Sequence, residues 1–228
     1  MSDARPVGGR PPAPVSDLFA TAVHRFGKAW ADLVAAAIVA FALASLPVLL
    51  IASSSDRHAV YVASMLCYGV AYFGLLGQVM LRGLPERVGP ARVVSTYACA
   101  LLVGVLAGLM VLILLWFALA LLPLLVFAVP SVAAGDRTLA SSLWQGMRLA
   151  VSNARRVWSV WLITLAFSGP IVIAMFLFSQ SFSGSVTGVL LALALSTPIA
   201  WPVSALFVRA LYGDLTGRVV VAPQDRTS

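Results

Sequence analysis

Four uncharged stretches, Leu33 to Ser55, Ala59 to Leu81, Val93 to Gly135 and Val157 to Val208, alternate with short charged segments along the chain. They run to 23, 23, 43 and 52 residues. A helix needs about 20 apolar residues to cross the roughly 30 Å hydrocarbon core of a bilayer, so the first two stretches are one crossing long and the others are each long enough for two. The pattern predicts an all-α fold, a polytopic integral membrane bundle of six transmembrane helices. Gly83, Pro85, Gly89 and Pro90 mark a turn and a new helix start between spans two and three. The polar run Ser179 to Ser185 is the expected turn between spans five and six. The Val93 to Gly135 stretch carries no such signal, because Leu109 to Leu122 is continuously apolar, and two crossings there require a tight hairpin near Trp116.

A second periodicity appears at the edges of the uncharged stretches. From Ser16 to Asp32, Phe19, Val23, Phe26, Trp30 and Leu33 recur every three or four residues, with Asp17, Thr21, His24, Arg25 and Lys28 on the other face. From Thr138 to Arg156, Leu143, Met147, Val151 and Ala154 form one stripe and Gln145, Arg148, Ser152 and Arg155 another. Both read as basic amphipathic interfacial helices, one before span one and one before span five. Residues 1–15, with Pro6, Pro11, Pro12, Pro14 and no periodicity, read as a disordered N-terminal tail. Residues 16–218 form the six-span membrane domain and 219–228 a C-terminal tail. The long basic N-terminal region and over-long first apolar stretch point to a retained anchor rather than a cleaved signal peptide.

Composition agrees with the pattern: 61% of the chain is hydrophobic and 10% charged, against about a quarter charged in soluble domains. The net charge of +7 lies on the membrane flanks and forms no soluble basic module, which argues against a nucleic-acid partner. With six crossings, fourteen of the fifteen Lys and Arg residues share one side and only Arg57 lies opposite. With a single crossing in Val93 to Gly135 the asymmetry collapses, so the positive-inside rule favours six spans with both termini cytoplasmic.

Candidate chemistry is sparse. The chain has two histidines and eight acidic residues, and none forms a nucleophile, acid–base or metal-ligand set; Asp56 and His58 read as a solvated turn. No cofactor is expected. The predicted spans hold no ionisable residue of the kind ion-coupled transporters use. Cys67 and Cys99 read as inert packing residues. Gly69, Gly74 and Gly77, and Gly104 with Gly108, suit close helix packing, within the chain or in a homo-oligomer. In the sixth span Pro198 and Pro202 interrupt the helix beside Ser196, Thr197 and Ser204, either as a packed kink or as the lining of a cavity.

The second half also carries a resemblance. The run Leu122-Pro123-Leu124-Leu125 leads through Val129-Pro130-Ser131-Val132 to Ala133-Ala134-Gly135. Leu143-Trp144-Gln145-Gly146-Met147-Arg148-Leu149, Asn153 to Trp158 and the closing Leu211-Tyr212-Gly213-Asp214-Leu215 follow. These segments, from Leu122 to Arg218, resemble bacterial six-span proteins that include the membrane domain of some glycerophosphoryl diester phosphodiesterases and the YciC-like group. An acid that such proteins place before the glycine here follows it, as Asp136. The resemblance implies a six-helix integral domain of the bacterial inner membrane. It implies no phosphodiesterase activity, since this chain has no room for the soluble catalytic barrel.

The expected function is a non-enzymatic membrane-organising or interaction module whose Arg25, Lys28, Arg148, Arg155 and Arg156 contact anionic lipid headgroups or a membrane-protein partner. The alternative is a transporter or transporter subunit for a hydrophobic or lipid-like substrate, using the Ser196 to Ser204 region.

Overall fold

The computed structural model describes residues 13–52, 57–84, 88–113, 122–135, 139–167 and 186–217, and every element among them is helical. In chain order these are α1 (Val15–Lys28), α2 (Trp30–Ala52), α3 (Arg57–Arg82), α4 (Pro90–Ile113), α5 (Ala128–Ala134) and α6 (Leu139–Ser152). A helical run over 154–167, called α7 below, and α8 (Val186–Thr216) complete the set. Three stretches are long and apolar enough to cross a membrane: Trp30–Leu50, Val62–Arg82 and Pro90–Met110. The expected hairpin near Trp116, the Ser179 to Ser185 turn, the C-terminal tail and most of the N-terminal tail lie outside the described residues.

Local sequence accounts for the breaks. Proline at the first turn of a helix loses no intrahelical hydrogen bond, and α4 begins at Pro90. At Ala29, between α1 and α2, the backbone N–H donates to the Arg25 and Phe26 carbonyls and the chain bends before Trp30. Between α6 and α7, the Asn153 side-chain amide donates to the Leu149 carbonyl at 3.1 Å, competing with the helical ladder at the turn.

The bundle is built on α3, which packs against α2, α4, α5 and α8. Its tightest contact is with α4. A Cβ on Gly69 would sit 2.5 Å from the Gly104 carbonyl oxygen, and one on Gly104 would collide with the backbone of Val70. The two backbones therefore touch, as small residues permit where lipid supplies no hydrophobic drive between helices. Gly77 packs on Thr96 and Val129, while Gly74, grouped with them by sequence, faces open space.

Contacts fix the helix directions. Tyr68 meets Trp201 edge to face, the Tyr72 hydroxyl lies 2.7 Å from Ser204 Oγ, and Arg209 reaches Val79 and Gly83, so α3 and α8 run parallel. Leu122 borders the same small cavity as Ala107 and Gly108, whereas Val129 lies beside Gly77 and Thr96. The 122–134 segment therefore returns antiparallel to α4, and the chain reverses within the 43-residue uncharged stretch. The core joins Phe73, Leu76, Val103, Phe127, Phe207 and Leu211 with small residues between them. An aromatic chain, Phe41 stacked on Tyr68 with Trp201 against both Tyr68 and Tyr72, ties α2, α3 and α8.

Candidate functional site: the charged end of the bundle

The C-terminal ends of α3 and α8 and the start of α7 meet at one end of the bundle. There, Arg156 Nη1 donates to Asp214 Oδ2 at 2.7 Å, and Arg156 Nη2 donates to the Ala13 carbonyl. The Ala13 N–H in turn donates to Asp214 Oδ1 at 3.2 Å. The two charged side chains are only 20% and 18% exposed, so this three-way clip is shielded from water and holds the start of α1 onto α7 and α8. Ala13 belongs to the segment expected to be a tail; its pinning was invisible in sequence because the partners lie 143 and 201 residues away.

Arg209 makes a second junction. Its guanidinium donates to the Val79 and Gly83 carbonyls, both at 3.2 Å. These lie at the C-terminal end of α3, where carbonyls lack helical partners and the helix dipole is negative, so a cation there both caps and neutralises. Gly83 turns away through the bond from its N–H to the Met80 carbonyl, and a Cβ at that position would strike the guanidinium. Burial first, and the positive charge of Arg25 second, lower the Arg209 pKa to about 10, which leaves it cationic at neutral pH. Arg25 is itself lowered by burial.

The five basic residues singled out from sequence thus divide. Arg156 is committed to the clip and Arg25 is half-buried, while Lys28, Arg148 and Arg155 are exposed. Neither Asp214 nor Arg209 was selected in advance as a site residue, although each stands alone just beyond the last uncharged stretch. A solitary charge in an apolar context signals a partner without naming it.

The helices that carry these residues present different faces from the sequence stripes. On α1, Leu18 and Ala22 are buried and Phe19 and Phe26 pack against the core, with the Phe19 ring edge-on to Phe207 at 5.4 Å and Phe167 at 5.8 Å. Val23 and Trp30, expected on the apolar face, are exposed. On α6 the buried residues are Ser142, Gly146 and Ala150, spaced four apart. Gly146 lies so close to α5 that a Cβ would sit 2.7 Å from the Phe127 carbonyl oxygen. Trp144, Met147 and Val151 consequently point outward, Trp144 at 69% and Val151 at 61% exposure, next to exposed Gln145 and Arg148.

In the sixth predicted span, Thr197, Pro202 and Ser204 are buried and Pro198 is half-buried; the Ser196 side chain lies outside the described residues. Ser204 borders a cavity of about 10 Å³ with Pro123, Thr164 and Leu211, room for one water at most. Thr197 Oγ1, Ser131 Oγ and Trp161 Nε1 are buried without a hydrogen-bond partner among the described residues. Among the described residues no three His, Cys, Asp or Glu side chains come together in a metal-binding group. No protein-family model matches the sequence, and no curated protein or solved structure is similar to it at a significant level.

Proposed function

We propose that the protein is a non-enzymatic, six-span protein of the bacterial inner membrane, a membrane-organising or interaction module with both termini and a basic rim at the cytoplasmic face. The observation that carries this reading is the outward ridge of α6. A helix that packs inward on serine, glycine and alanine and turns Trp144, Met147 and Val151 outward beside Gln145 and Arg148 has the faces of a segment lying in the headgroup layer. Two further features support it. The chain reverses between α4 and the 122–134 segment, as two crossings require. The ends carrying Ala13, Gly83, Arg156, Arg209 and Asp214 also meet on one side, as the charge asymmetry requires. Membership of the six-span group that the Leu122 to Arg218 segment resembles is part of the same proposal.

Lys28, Arg148 and Arg155 are the residues assigned to anionic headgroups, since they are exposed and each basic group near such a surface contributes about 1 kcal/mol. Arg25 and Arg156 act inside the protein. Purification of the Lys28→Gln/Arg148→Gln/Arg155→Gln protein, followed by lipid mass spectrometry, is expected to show several-fold less bound anionic phospholipid. Unchanged anionic lipid would refute the assignment. For the alternative, transport through the sixth span, the cavity that Ser204 borders has room for one water at most and gives it no support.

A further inference from the structure

A groove of about 800 Å³, within the size range of small-ligand sites, opens between α2 and α4 over the face of α3. Small residues make its depth. Ala36, Ala40 and Ala44 line the α2 wall and Gly74 the floor, and a Cβ added at Gly74 meets no atom within 4 Å. The outward neighbours Val39, Leu43 and Leu101 form a greasy rim.

The polarity of the groove is graded along its length. Asp32, Gln78 and Arg82 line one end, at the start of α2 and the end of α3, and Pro47 and Leu66 mark the other, where the described lining residues are uncharged. From Asp32 to Pro47 is fifteen residues of helix, about 22 Å at 1.5 Å per residue. Half of a roughly 30 Å hydrocarbon core together with one headgroup layer of about 6 Å comes to nearly the same length. The groove therefore has the extent of one leaflet, charged at the headgroup level and apolar down to the midplane.

We propose that this groove holds a single zwitterionic glycerophospholipid, with an acyl chain along the Gly74 floor and the headgroup between Arg82 and Asp32. The Arg82 guanidinium is a planar donor fork that matches a phosphate, and the Asp32 carboxylate faces the ammonium of an ethanolamine headgroup. A lipid with anionic charge alone satisfies Arg82 and is repelled by Asp32. A second copy of the chain docked by an apolar helix would leave both charges against hydrocarbon. The proposal rests on the membrane placement given above and is independent of the basic rim: it concerns another face and another headgroup.

The test uses the full chain, reconstituted in nanodiscs of equal phosphatidylethanolamine and phosphatidylglycerol and released into native mass spectrometry after mild delipidation. The wild type is expected to retain one phosphatidylethanolamine per chain. Gly74→Leu projects into the floor from a position where a Cβ meets no atom within 4 Å and replaces glycine by a better helix former, and is expected to lower that retention at least tenfold. In the Lys28→Gln/Arg148→Gln/Arg155→Gln background, Asp32→Asn is expected to bring the two lipids to equal retention in the groove, and Arg82→Gln to weaken both. The Lys28→Gln/Arg148→Gln/Arg155→Gln protein is expected to keep its phosphatidylethanolamine while losing phosphatidylglycerol, so failure of one assignment is distinguishable from failure of the other. Wild-type retention in Gly74→Leu, meaning boundary lipid only, or equal retention of both lipids by the Lys28→Gln/Arg148→Gln/Arg155→Gln protein, would overturn the proposal. So would a chain dimer through this face. If Gly74→Leu does not fold, a phosphatidylethanolamine with a photoreactive acyl chain decides on the wild type. Adducts confined to Val39, Leu43, Gly74 and Leu101 support the groove, and adducts spread over exposed Leu102, Val94 and Trp144 overturn it.

Discussion

Helices α1 and α6 carry similar sequence patterns and use them in opposite ways. α1 sends its large side chains inward: Leu18, Phe19 and Phe26 face the core, Phe19 wedges between Phe167 and Phe207, and the clip of Arg156 and Asp214 holds Ala13, just ahead of its first turn. α6 approaches the bundle on Ser142, Gly146 and Ala150 and leaves Trp144, Met147 and Val151 outside. One helix is a structural strap and the other offers its bulky face to the surroundings. The difference teaches that in a membrane protein the apolar stripe need not be the packed stripe, because hydrocarbon accepts large side chains as readily as a core does. Close backbone approach then selects the small residues for the protein contact.

The contrast can be broken most severely at Gly146. Gly146→Leu drives a side chain into the Phe127 carbonyl and is expected to detach α6, lowering stability in detergent by about 3 kcal/mol, with hydrogen exchange rising first over Leu139–Ser152. Retention of wild-type stability would mean α6 is not held by its small stripe. At the clip that holds α1, Asp214→Ala strands the shielded Arg156 guanidinium and is expected to cost about 2 kcal/mol, with Arg156→Met/Asp214→Leu recovering part of the loss. A double-mutant cycle in chemical unfolding checks this; strictly additive single effects would remove the clip from the account of α1.

Phe19→Ala removes two edge-to-face contacts from a half-buried ring and is expected to destabilise by about 1.5 kcal/mol, read as a lower thermal midpoint. The smallest effect belongs to the outer face of α6. Val151→Asn is expected to change stability in detergent by less than about 0.5 kcal/mol. It should nevertheless expose α6 in nanodiscs, measured as greater accessibility of a spin label at position 147 to a water-soluble quencher. A stability loss as large as that of Phe19→Ala would make the two helices equivalent and end the comparison.

Much of the fold was legible in order. The helices at Trp30–Ala52, Arg57–Arg82 and Pro90–Ile113 follow from apolar runs longer than a crossing, and the start at Pro90 from the restricted proline backbone. The close approach of Gly69 and Gly104 agrees with the small-residue pattern in both spans. Periodicity was less successful at orientation. It grouped Gly74 with Gly69 and Gly77, and it placed Val23 with Phe19 and Met147 with Leu143, because a helical wheel gives angles but not the direction of the neighbouring helix. The candidate site was legible only in part: Arg25 and Arg156 could not be separated from Lys28, Arg148 and Arg155 until burial and partners were known.

By itself the sequence determined the helical class, the long apolar helices and the uneven distribution of charge, all of which depend on composition and local spacing that a bilayer reads segment by segment. The tertiary structure decided which charges are spent internally, as at Arg156, Asp214 and Arg209. It also decided which faces of α1 and α6 are turned inward, and that Gly74 opens a groove ending at Asp32 and Arg82. The physical reason is distance along the chain. Ala13 and Asp214, or Tyr72 and Ser204, meet across more than a hundred residues, and no local pattern records a contact that exists only once the helices have packed.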